Sequence, residues 1–405
     1  MNNQKRYATE ATRLANTNNK KGKQMKKMQI AIKAAPSVKV SKNQRYNPFN
    51  AVHFKDGRMT IVTDDLTSIH IDAPEALLNF NGLLDLEKCR KAISKFYDIK
   101  SSDKNSVTFT DGDSDLIVQK IKEDEEASYP DDEYAPLDTQ AEMPLKDLVA
   151  AITYCKQSVS HEIERLYLNY YCIKEGAMIT TDGRRLSNHG IRIRNESNID
   201  KRFMISIRAA DFILKMAECY GPKTVAAIGQ DETHTVIKID DLTINMPAYD
   251  GTFPNWKQVV PKQTSQSFTV SQLDIKRILK SLQKSTAMKH GELGTSIIFS
   301  GITEQSSQVI FATDNMDFVN EWGELEIKTD AIIHHIESEV ICLNGIFLKD
   351  ALANTTGDVT FAFTSELQPI VLTDSNNKKA FVIIMPMKRR AACKEEPAED
   401  EQIAI

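Results

Sequence analysis

The chain has 405 residues, of which 41% are hydrophobic and 26% are charged. Its 51 lysines and arginines stand against 56 aspartates and glutamates, so the formal net charge is −5. The length predicts two or three domains with ordinary cores. No apolar run approaches the roughly 18 residues of a membrane helix, so no membrane span is expected. Taken alone, the mild acidity argues against a protein that binds nucleic acid through bulk positive charge.

Six cysteines occur at positions 89, 155, 172, 219, 342 and 393, and none forms a CxxC pair. This spacing predicts neither a zinc site nor a disulfide framework. The N-terminal residues include no apolar stretch of the kind that a secretory signal needs. Both features are typical of a cytoplasmic chain with reduced thiols.

Charge is distributed unevenly along the chain, and three segments account for most of the imbalance. Residues 1–45 contain nine lysines, three arginines and one glutamate, a net charge of +11. A first helix is expected within Gln24–Ala35, although Pro36 and the dense lysines weaken the pattern. Residues 123–138 carry eight acidic side chains and two prolines, which predicts an exposed linker. The segment after Lys388 is also acidic and is expected to be a tail.

One sequence pattern recurs along the chain. Lys55–Asp64 and Lys174–Asp182 each contain an acidic-glycine pair followed by alternating apolar residues and Thr-Asp, and Gln308–Asp314 is a weaker third copy. The acidic-glycine pairs predict tight hairpin turns. The Thr-Asp pairs lie 118 and 132 residues apart, which is the length of a domain.

Each copy is accompanied by helical patterns. Apolar residues recur at helical spacing from Leu145 to Cys155 and from Ile275 to Leu282. A second helix is predicted after each Thr-Asp pair, at about 84–97, 206–220 and 345–354, with Ser206 and Asn344 as N-caps. Short strands make up the rest. The fold class is therefore α+β, built from three successive units with antiparallel strands and two helices each.

Four motifs give the chain a family resemblance. Tyr249–Trp256, with Val259–Pro261 after it, resembles the aspartate-glycine-x-phenylalanine-proline segment of the bacterial-type beta sliding clamp, the beta subunit of DNA polymerase III. Thr181–Leu186 resembles the family's threonine-aspartate-glycine-histidine-arginine-leucine loop. Val382–Lys388 resembles its closing strand, and Asn344 with Phe347–Leu352 resembles its last helix. The motifs occur in the family's order and together cover about residues 46–388.

The resemblance implies a ring and a mechanical function. Sliding clamps have three similar domains with two inner helices each, and two subunits close head to tail into a six-domain ring around double-stranded DNA. The implied divisions are a basic extension at 1–27, clamp domains at 28–140, 141–262 and 263–388, and an acidic tail at 389–405. The implied function is that of a processivity factor in DNA replication. It implies no catalysis and no cofactor, and the partners are DNA polymerase, the clamp loader and other clamp-binding-motif proteins.

The resemblance also implies three sets of site residues. The partner-peptide cleft is expected to contain Leu168, Thr181, Gly183, Arg184, Arg185, Leu186, Pro254, Val259, Asn344, Phe347, Leu367, Pro369, Ile383, Ile384, Met385, Pro386 and Met387. The basic faces of two helices predict DNA-facing residues at Lys88, Arg90, Lys91, Lys95, Lys276, Arg277, Lys280 and Lys284. The homodimer interface is placed by analogy at Leu116, Val118, Ala287 and Met288. Many of the cleft residues, such as Ile383 and Leu168, could instead fill the core, whereas the Met385–Met387 end is less easily explained in that way. Each lysine could be an ordinary solvated one.

The chain departs from the family pattern at three places. Arg184 replaces the usual histidine of the cleft loop, the chain continues past Lys388, and a basic segment precedes the first strand. We hypothesise that the acidic tail lies near the cleft and modulates peptide access. Unchanged peptide affinity after truncation at Lys388 would reject that hypothesis. The altered ends also leave open a plasmid- or phage-encoded clamp relative that serves a dedicated polymerase or regulator.

Enzyme interpretations find no support in the sequence. There is neither a GxxxxGK[ST] phosphate loop nor a GxSxG elbow. His161–Glu162 begins an HExxH-like motif, but Arg165 occupies the place of the second histidine. His334 and His335 are neighbours on a predicted strand and face opposite sides, so they do not predict a metal site.

Overall fold

The computed structural model of the chain describes residues 21–36, 48–96, 98–122, 139–194, 202–249, 251–284, 296–300, 308–314, 326–336 and 341–387. The chain divides into two compact units. The first unit comprises residues 1–180 and 190–253, and the second comprises residues 181–189 and 254–405.

Six helices of nine residues or more lie in the described part of the chain; the first begins before the predicted first clamp domain, and the other five lie within the predicted domains. They are α1 (21–34), α2 (Leu86–Lys95), α3 (Leu145–Cys155), α4 (Ile207–Met216), α5 (Gln272–Lys284) and α6 (Gly345–Ala353). α1 to α4 belong to the first unit, and α5 and α6 belong to the second. The predicted pairing of two helices with each set of strands is confirmed.

The first unit is built from antiparallel sheets. Its strands are β1 (Ala51–Lys55), β2 (Arg58–Val62), β3 (Ser68–Asp72), β4 (Gly82–Asp85), β5 (Asp98–Ser102), β6 (Ser106–Thr110), β7 (Asp115–Gln119), β8 (Ala141–Pro144), β9 (Tyr170–Lys174), β10 (Ala177–Thr181), β12 (Phe203–Ser206), β13 (Val225–Gln230), β14 (His234–Ile239) and β15 (Leu242–Pro247). An eight-stranded sheet has the order β4-β1-β2-β3-β15-β14-β13-β8. Two further groups of neighbouring strands have the orders β5-β6-β7 and β12-β9-β10.

The second unit contains nine neighbouring strands in the order β11-β23-β22-β21-β16-β19-β18-β17-β20. Their bounds are β11 (Arg185–Gly190), β16 (Gln266–Val270), β17 (Ser296–Ser300), β18 (Gln308–Asp314), β19 (Glu326–His335), β20 (Ile341–Asn344), β21 (Val359–Phe363), β22 (Ile370–Asp374) and β23 (Asn377–Ile384). All neighbouring strands in this order are antiparallel to each other. The α+β prediction with antiparallel strands is confirmed.

The two strongest repeat copies form the predicted hairpins. Lys55 pairs with Arg58, and Lys174 pairs with Ala177, so each loop has two residues. Asp56 and Gly57 have φ of 51° and 75°, and the corresponding residues of the second hairpin have φ of 52° and 72°. Two successive left-handed residues define a type I′ turn, whose twist matches that of the flanking strands. An acidic residue and glycine tolerate this backbone conformation better than most pairs.

The basic N-terminal segment contributes core to the first unit. Met28 and Ala31 of α1 are fully buried, and Ile32 is 1% exposed. The predicted division between residues 27 and 28 falls inside α1, which is continuous from residue 21 to residue 34. Residues 21–27 therefore belong to the same helix as the buried residues after them. An amphipathic helix of this kind buries one stripe of its surface.

Candidate functional site

Three strand ends meet at one edge of the second unit. β11 begins beside the end of β23, where Arg185 pairs with Ile384. β22 begins on the other side of β23, where Ile370 pairs with the same Ile384. The residues that adjoin these ends are 181–185, 367–369 and 385–387. We call them together the strand-end surface, and each of the three segments contains residues predicted for the cleft.

The loop before β11 is held by its own side chains. The Asp182 carboxylate accepts hydrogen bonds from the backbone N–H groups of Arg184 and Arg185, each at 2.9 Å. The Thr181 hydroxyl donates to the Arg185 carbonyl at 2.7 Å and accepts from the Gly183 N–H at 3.1 Å. Gly183 has a φ of 85°, a left-handed conformation that favours glycine. The Thr-Asp-Gly motif therefore specifies a rigid turn.

Arg185 connects this turn to α6. Its guanidinium lies 2.9 Å from the Asp182 carboxylate and 2.8 Å from the Asp350 carboxylate. It also lies 4.3 Å from the centre of the Phe347 ring, which is a cation–π distance. The Arg185 side chain is only 12% exposed. Asp350 was not among the predicted site residues, because the pair is separated by 165 positions in the sequence.

The last strand and α6 are also fixed at this edge. The Met385 N–H donates to the Arg184 carbonyl at 2.9 Å, and the Met387 N–H donates to the Cys342 carbonyl at 2.8 Å. The side chain of Asn344 caps α6 by accepting from the N–H groups of Ile346 and Phe347. The predicted N-cap at Asn344 is therefore confirmed, and it orients the first turn that carries Phe347.

The predicted cleft residues divide into exposed and buried groups. Leu367, Val259 and Met385 are 57%, 44% and 40% exposed, which is high for large apolar side chains. Gly183 and Arg184 are exposed. Half-exposed residues are Thr181, Pro254, Asn344, Phe347, Pro369, Pro386 and Met387. Pro254 and Val259 flank a short 3-10 turn, Trp256–Gln258.

Three of the predicted cleft residues in the second unit are core residues. Leu186, Ile383 and Ile384 are no more than 2% exposed. Their place is therefore corrected from the surface to the layer beneath it. Leu186 and Ile383 pair across β11 and β23, and Ile384 faces the opposite side of the sheet, so both sides of β23 are covered at this end. Leu168, in the first unit, is also 2% exposed, and its N–H bonds to the Arg165 carbonyl at 2.9 Å.

The predicted basic face of α5 is present on the described residues. Lys276, Arg277 and Lys280 are exposed, whereas Ile275 and Ile278 are buried. The Arg277 guanidinium already has two partners within the chain. It donates to the Lys328 carbonyl at 2.8 Å and pairs with Asp274 at 3.0 Å. The side chain of Lys284 lies outside the described residues.

The predicted basic face of α2 needs one correction. Lys88, Lys91 and Lys95 are exposed. Arg90 instead turns towards α1, where it donates to the carbonyls of Ile32 and Ala35 and pairs with Glu87. Arg90 therefore caps the end of α1, because the last carbonyls of a helix have no partner within the helix.

Exposed lysines on α1 were not among the predicted DNA-facing residues. They are Lys23, Lys26 and Lys33, beside the paired Lys21. The net charge of +11 in residues 1–45 is the sequence signal for them, but the predicted division places residues 1–27 in an extension outside the clamp domains.

The predicted subunit interface is only partly described. Ala287 and Met288 lie outside the described residues. On β7, the Val118 side chain is 2% exposed and belongs to the core, and its place at a subunit interface stays a prediction. Leu116 is half-buried on the same face of the strand, whereas Ile117 is 57% exposed on the opposite face. β7 ends the order β5-β6-β7 and pairs along its length with β6.

The described residues contain no arrangement for metal chemistry. No group of three or more His, Cys, Asp or Glu side chains among them could hold an ion. Glu162 of the HExxH-like motif pairs with Arg165 at 3.0 Å. His334 contacts the Thr269 hydroxyl at 3.1 Å. Each helix in this part of the chain is too short or too polar to cross a lipid bilayer.

Comparison with known proteins identifies sequence relatives. No family model matches the chain. The "Beta sliding clamp" of Treponema pallidum is 25% identical over 251 residues, which are 61% of this chain and 65% of that protein, just under two thirds of its length. The "Beta sliding clamp" of Chlamydia muridarum is 25% identical over 286 residues, which are 69% of this chain and 73% of that protein.

Solved structures share the fold. The DNA polymerase III beta subunit of Thermotoga maritima has a TM-score of 0.73 at 17% identity, over 91% of this chain and 98% of that one. The Caulobacter crescentus beta sliding clamp, with PEG bound to a putative beta-motif tethering region, has a TM-score of 0.71 at 16% identity, over 90% and 97%. The Pseudomonas aeruginosa sliding clamp bound to griselimycin has a TM-score of 0.71 at 15% identity, over 90% and 98%.

Proposed function

We propose that this chain, a relative of the bacterial-type beta sliding clamps in sequence and fold, is a DNA sliding clamp. It acts as a non-catalytic processivity subunit that encircles double-stranded DNA and tethers a DNA polymerase. The observation that carries the proposal is the fold, because the structural match covers 98% of the length of the Thermotoga maritima beta subunit. The named relatives are bacterial clamps, so they lend no support to a plasmid- or phage-encoded relative with a dedicated polymerase.

The exposed lysines of the helices are the proposed DNA-facing groups. Lys88, Lys91, Lys95, Lys276 and Lys280 stand on the solvent side of amphipathic helices whose other sides are buried. Contacts between such lysines and phosphates carry no sequence information and weaken with salt. They suit a protein that must move along the duplex. Arg277 and the exposed lysines of α1 extend the same set.

The active form is proposed to be a homodimeric ring in the cytoplasm. A closed ring of two identical subunits uses a heterologous contact between different faces, and it covers strands that would otherwise end a sheet. β7 is such a strand, and Ile117 on it is an exposed apolar side chain. Light scattering after size exclusion, at micromolar concentration, tests this. We expect twice the chain mass of 45.6 kDa, and a mass of one chain at that concentration would contradict a closed dimer.

The strand-end surface is the proposed site for short peptides of the polymerase, the clamp loader and other clamp-binding proteins. Leu367 and Met385 expose apolar area there, and methionine adapts to different apolar ligands. The Pseudomonas aeruginosa clamp is bound to griselimycin and the Caulobacter crescentus clamp to PEG, so relatives bind small molecules. Substituting Met385 by aspartate is expected to weaken a polymerase-derived peptide at least tenfold, as measured by fluorescence anisotropy. Aspartate at Leu273, an exposed leucine on α5, is the control.

A further inference from the structure

The first unit contains a second place where a turn meets the end of a strand. β3 begins beside the end of β15, where Ser68 pairs with Asn245, just as β11 begins beside the end of β23. In the turn at 63–67, which precedes β3, the Thr63 hydroxyl donates to the Thr67 carbonyl at 3.0 Å. The threonine of the strand-end surface makes the same bond four residues onward. The repeat in the sequence thus produces two related turns, one in each unit.

The turn at 63–67 is fixed to α4. The Thr67 hydroxyl lies 3.2 Å from the hydroxyl of Ser206, which is the N-cap of that helix. The Asp64 carboxylate lies 3.4 Å from the Arg208 guanidinium in the first turn of α4, and both side chains are nearly half exposed. A helix with packed apolar residues therefore supports the backbone of the turn.

Leu66 occupies this turn in an unfavourable conformation. Its φ is 61°, in the left-handed region that residues with a Cβ avoid, and its side chain is 52% exposed. The other non-glycine residues with positive φ in the described part of the chain are acidic, namely Asp56, Glu175 and Asp240. Backbone strain at an exposed apolar side chain gives the fold no benefit, and such strain is typical of residues that contact a ligand.

An aromatic pair and a carboxylate adjoin this turn. The rings of Tyr170 and Tyr249 have centres 4.8 Å apart, and both residues are half-exposed. Burial, and then the charge of Asp65, raise the pKa of Tyr170, so that carboxylate lies within electrostatic reach of the ring. Asp65 makes its two hydrogen bonds within the turn through Oδ1 alone. Ring faces and a carboxylate oxygen both attract a cationic side chain.

We propose that Asp65, Leu66, Tyr170 and Tyr249 form a second docking surface, on the first unit, for a partner segment that carries an apolar side chain next to a lysine or arginine. Leu66 supplies the apolar contact, and the carboxylate and the rings receive the base. The strand-end turn has a glycine and an arginine at the positions of Asp65 and Leu66, so the two surfaces differ in charge. This inference goes beyond the proposed clamp function and does not rest on it.

Two fluorescein-labelled peptides test the charge preference by anisotropy. Each has one leucine in a glycine-serine frame, to meet Leu66, followed by arginine in one peptide and glutamine in the other. The wild-type chain is expected to bind the arginine peptide about three- to tenfold more tightly at low salt. Asp65→Asn keeps an acceptor oxygen for the turn and should remove this preference. Asp113→Asn, which removes an exposed carboxylate between β6 and β7, should keep it.

Leu66→Asn tests the role of the strained residue. Asparagine adopts the left-handed conformation more readily than leucine, so Tm should stay equal or rise. Affinity for the arginine peptide should fall at least fivefold, because the apolar contact is lost. Leu78→Asn is the matched control, since Leu78 is 46% exposed in the same unit and has an ordinary φ of −58°. It should leave the affinity unchanged.

Three results would overturn the docking surface: equal affinity of the wild-type chain for the two peptides, binding of neither, or unchanged binding in Leu66→Asn. A lower Tm in Leu66→Asn, together with lost binding, would make Leu66 a structural residue and would overturn its role in docking. None of these measurements depends on loading of the chain onto DNA, so each of these failures would leave the proposed clamp function standing.

Discussion

Lys27 is a lysine of the basic N-terminal segment that the first unit buries. Its ammonium group contacts the Asp241 carboxylate, and their side chains are only 9% and 17% exposed. The same group lies 4.4 Å from the centre of the Tyr220 ring, and the Tyr220 hydroxyl donates to Asp241 at 3.3 Å. Burial, and then the Asp241 charge, raise the pKa of Tyr220. The tyrosine therefore stays neutral and keeps its donor at physiological pH.

Removal of one partner from this pair is expected to be costly. Asp241→Asn leaves the Lys27 charge buried without its counter-charge, so the free energy of unfolding should fall by about 2–4 kcal/mol. Urea unfolding monitored by circular dichroism measures the change. Glu75→Gln is the matched control, because its pair with Lys21 is more than half exposed on both sides and contributes about 0–1 kcal/mol. Equal effects of the two variants would contradict the burial argument.

The buried cysteines are expected to resist alkylation. Burial raises the pKa of Cys172 to about 12, and it raises the pKa of Cys155 further. Because the thiolate is the reactive form, native protein at pH 8 should not react with iodoacetamide at either position. Peptide mass spectrometry before and after urea treatment measures this. Rapid modification of Cys155 in the native protein would contradict its described environment.

At the scale of elements, the sequence predicted local structure well where periodicity and caps agree. α3, α4 and α6 begin within one residue of their predicted starts, and Ser206 and Asn344 are the caps. The two hairpin turns could also be predicted, each from its acidic residue and the glycine that follows it. The sequence predicted α1 only weakly, because its dense lysines lower the apparent hydrophobic periodicity. Its burial becomes clear only with its tertiary contacts, such as the one between Arg90 and the Ile32 carbonyl across 58 positions.

The Asn344 cap links stability to the proposed peptide site. Asn344→Ala removes the acceptor for two N–H groups of α6 and should cost about 1 kcal/mol of unfolding free energy. Because the freed turn carries Phe347, which stacks on Arg185, peptide affinity should fall as well. Asn344→Asp should retain both properties.

The matched control is the other confirmed cap. Ser206 accepts a hydrogen bond from the Ala209 N–H at the start of α4, in the first unit. Ser206→Ala should cost a similar free energy of unfolding and leave peptide affinity unchanged. Calorimetry and anisotropy of the two variants measure both quantities. A loss of peptide affinity in Ser206→Ala would show that the effect is one of general stability.

At the scale of the whole molecule, the net charge of −5 conceals its distribution. The lysines proposed to face DNA are exposed on α1, α2 and α5, and Lys146 on α3 and Lys215 on α4 are exposed as well. Arg90 and Lys27 are used inside the first unit. The sequence could place the clamp motifs because each is local. It could not separate exposed cleft residues from the buried Ile383 and Ile384, nor identify Asp350, because those properties depend on contacts between distant segments.

Topological linkage to DNA is the central claim, and it can be measured directly. The chain is loaded onto nicked circular plasmid with a clamp loader and ATP and is then isolated by gel filtration in about 0.5 M salt, which suppresses phosphate contacts. Half of the complex is linearised with a single-cutting nuclease. We expect retention on the circle, loss from the linear DNA, and renewed retention when both ends are blocked by bound protein. Equal retention on circular and unblocked linear DNA, or loss from both, would contradict the sliding-clamp account.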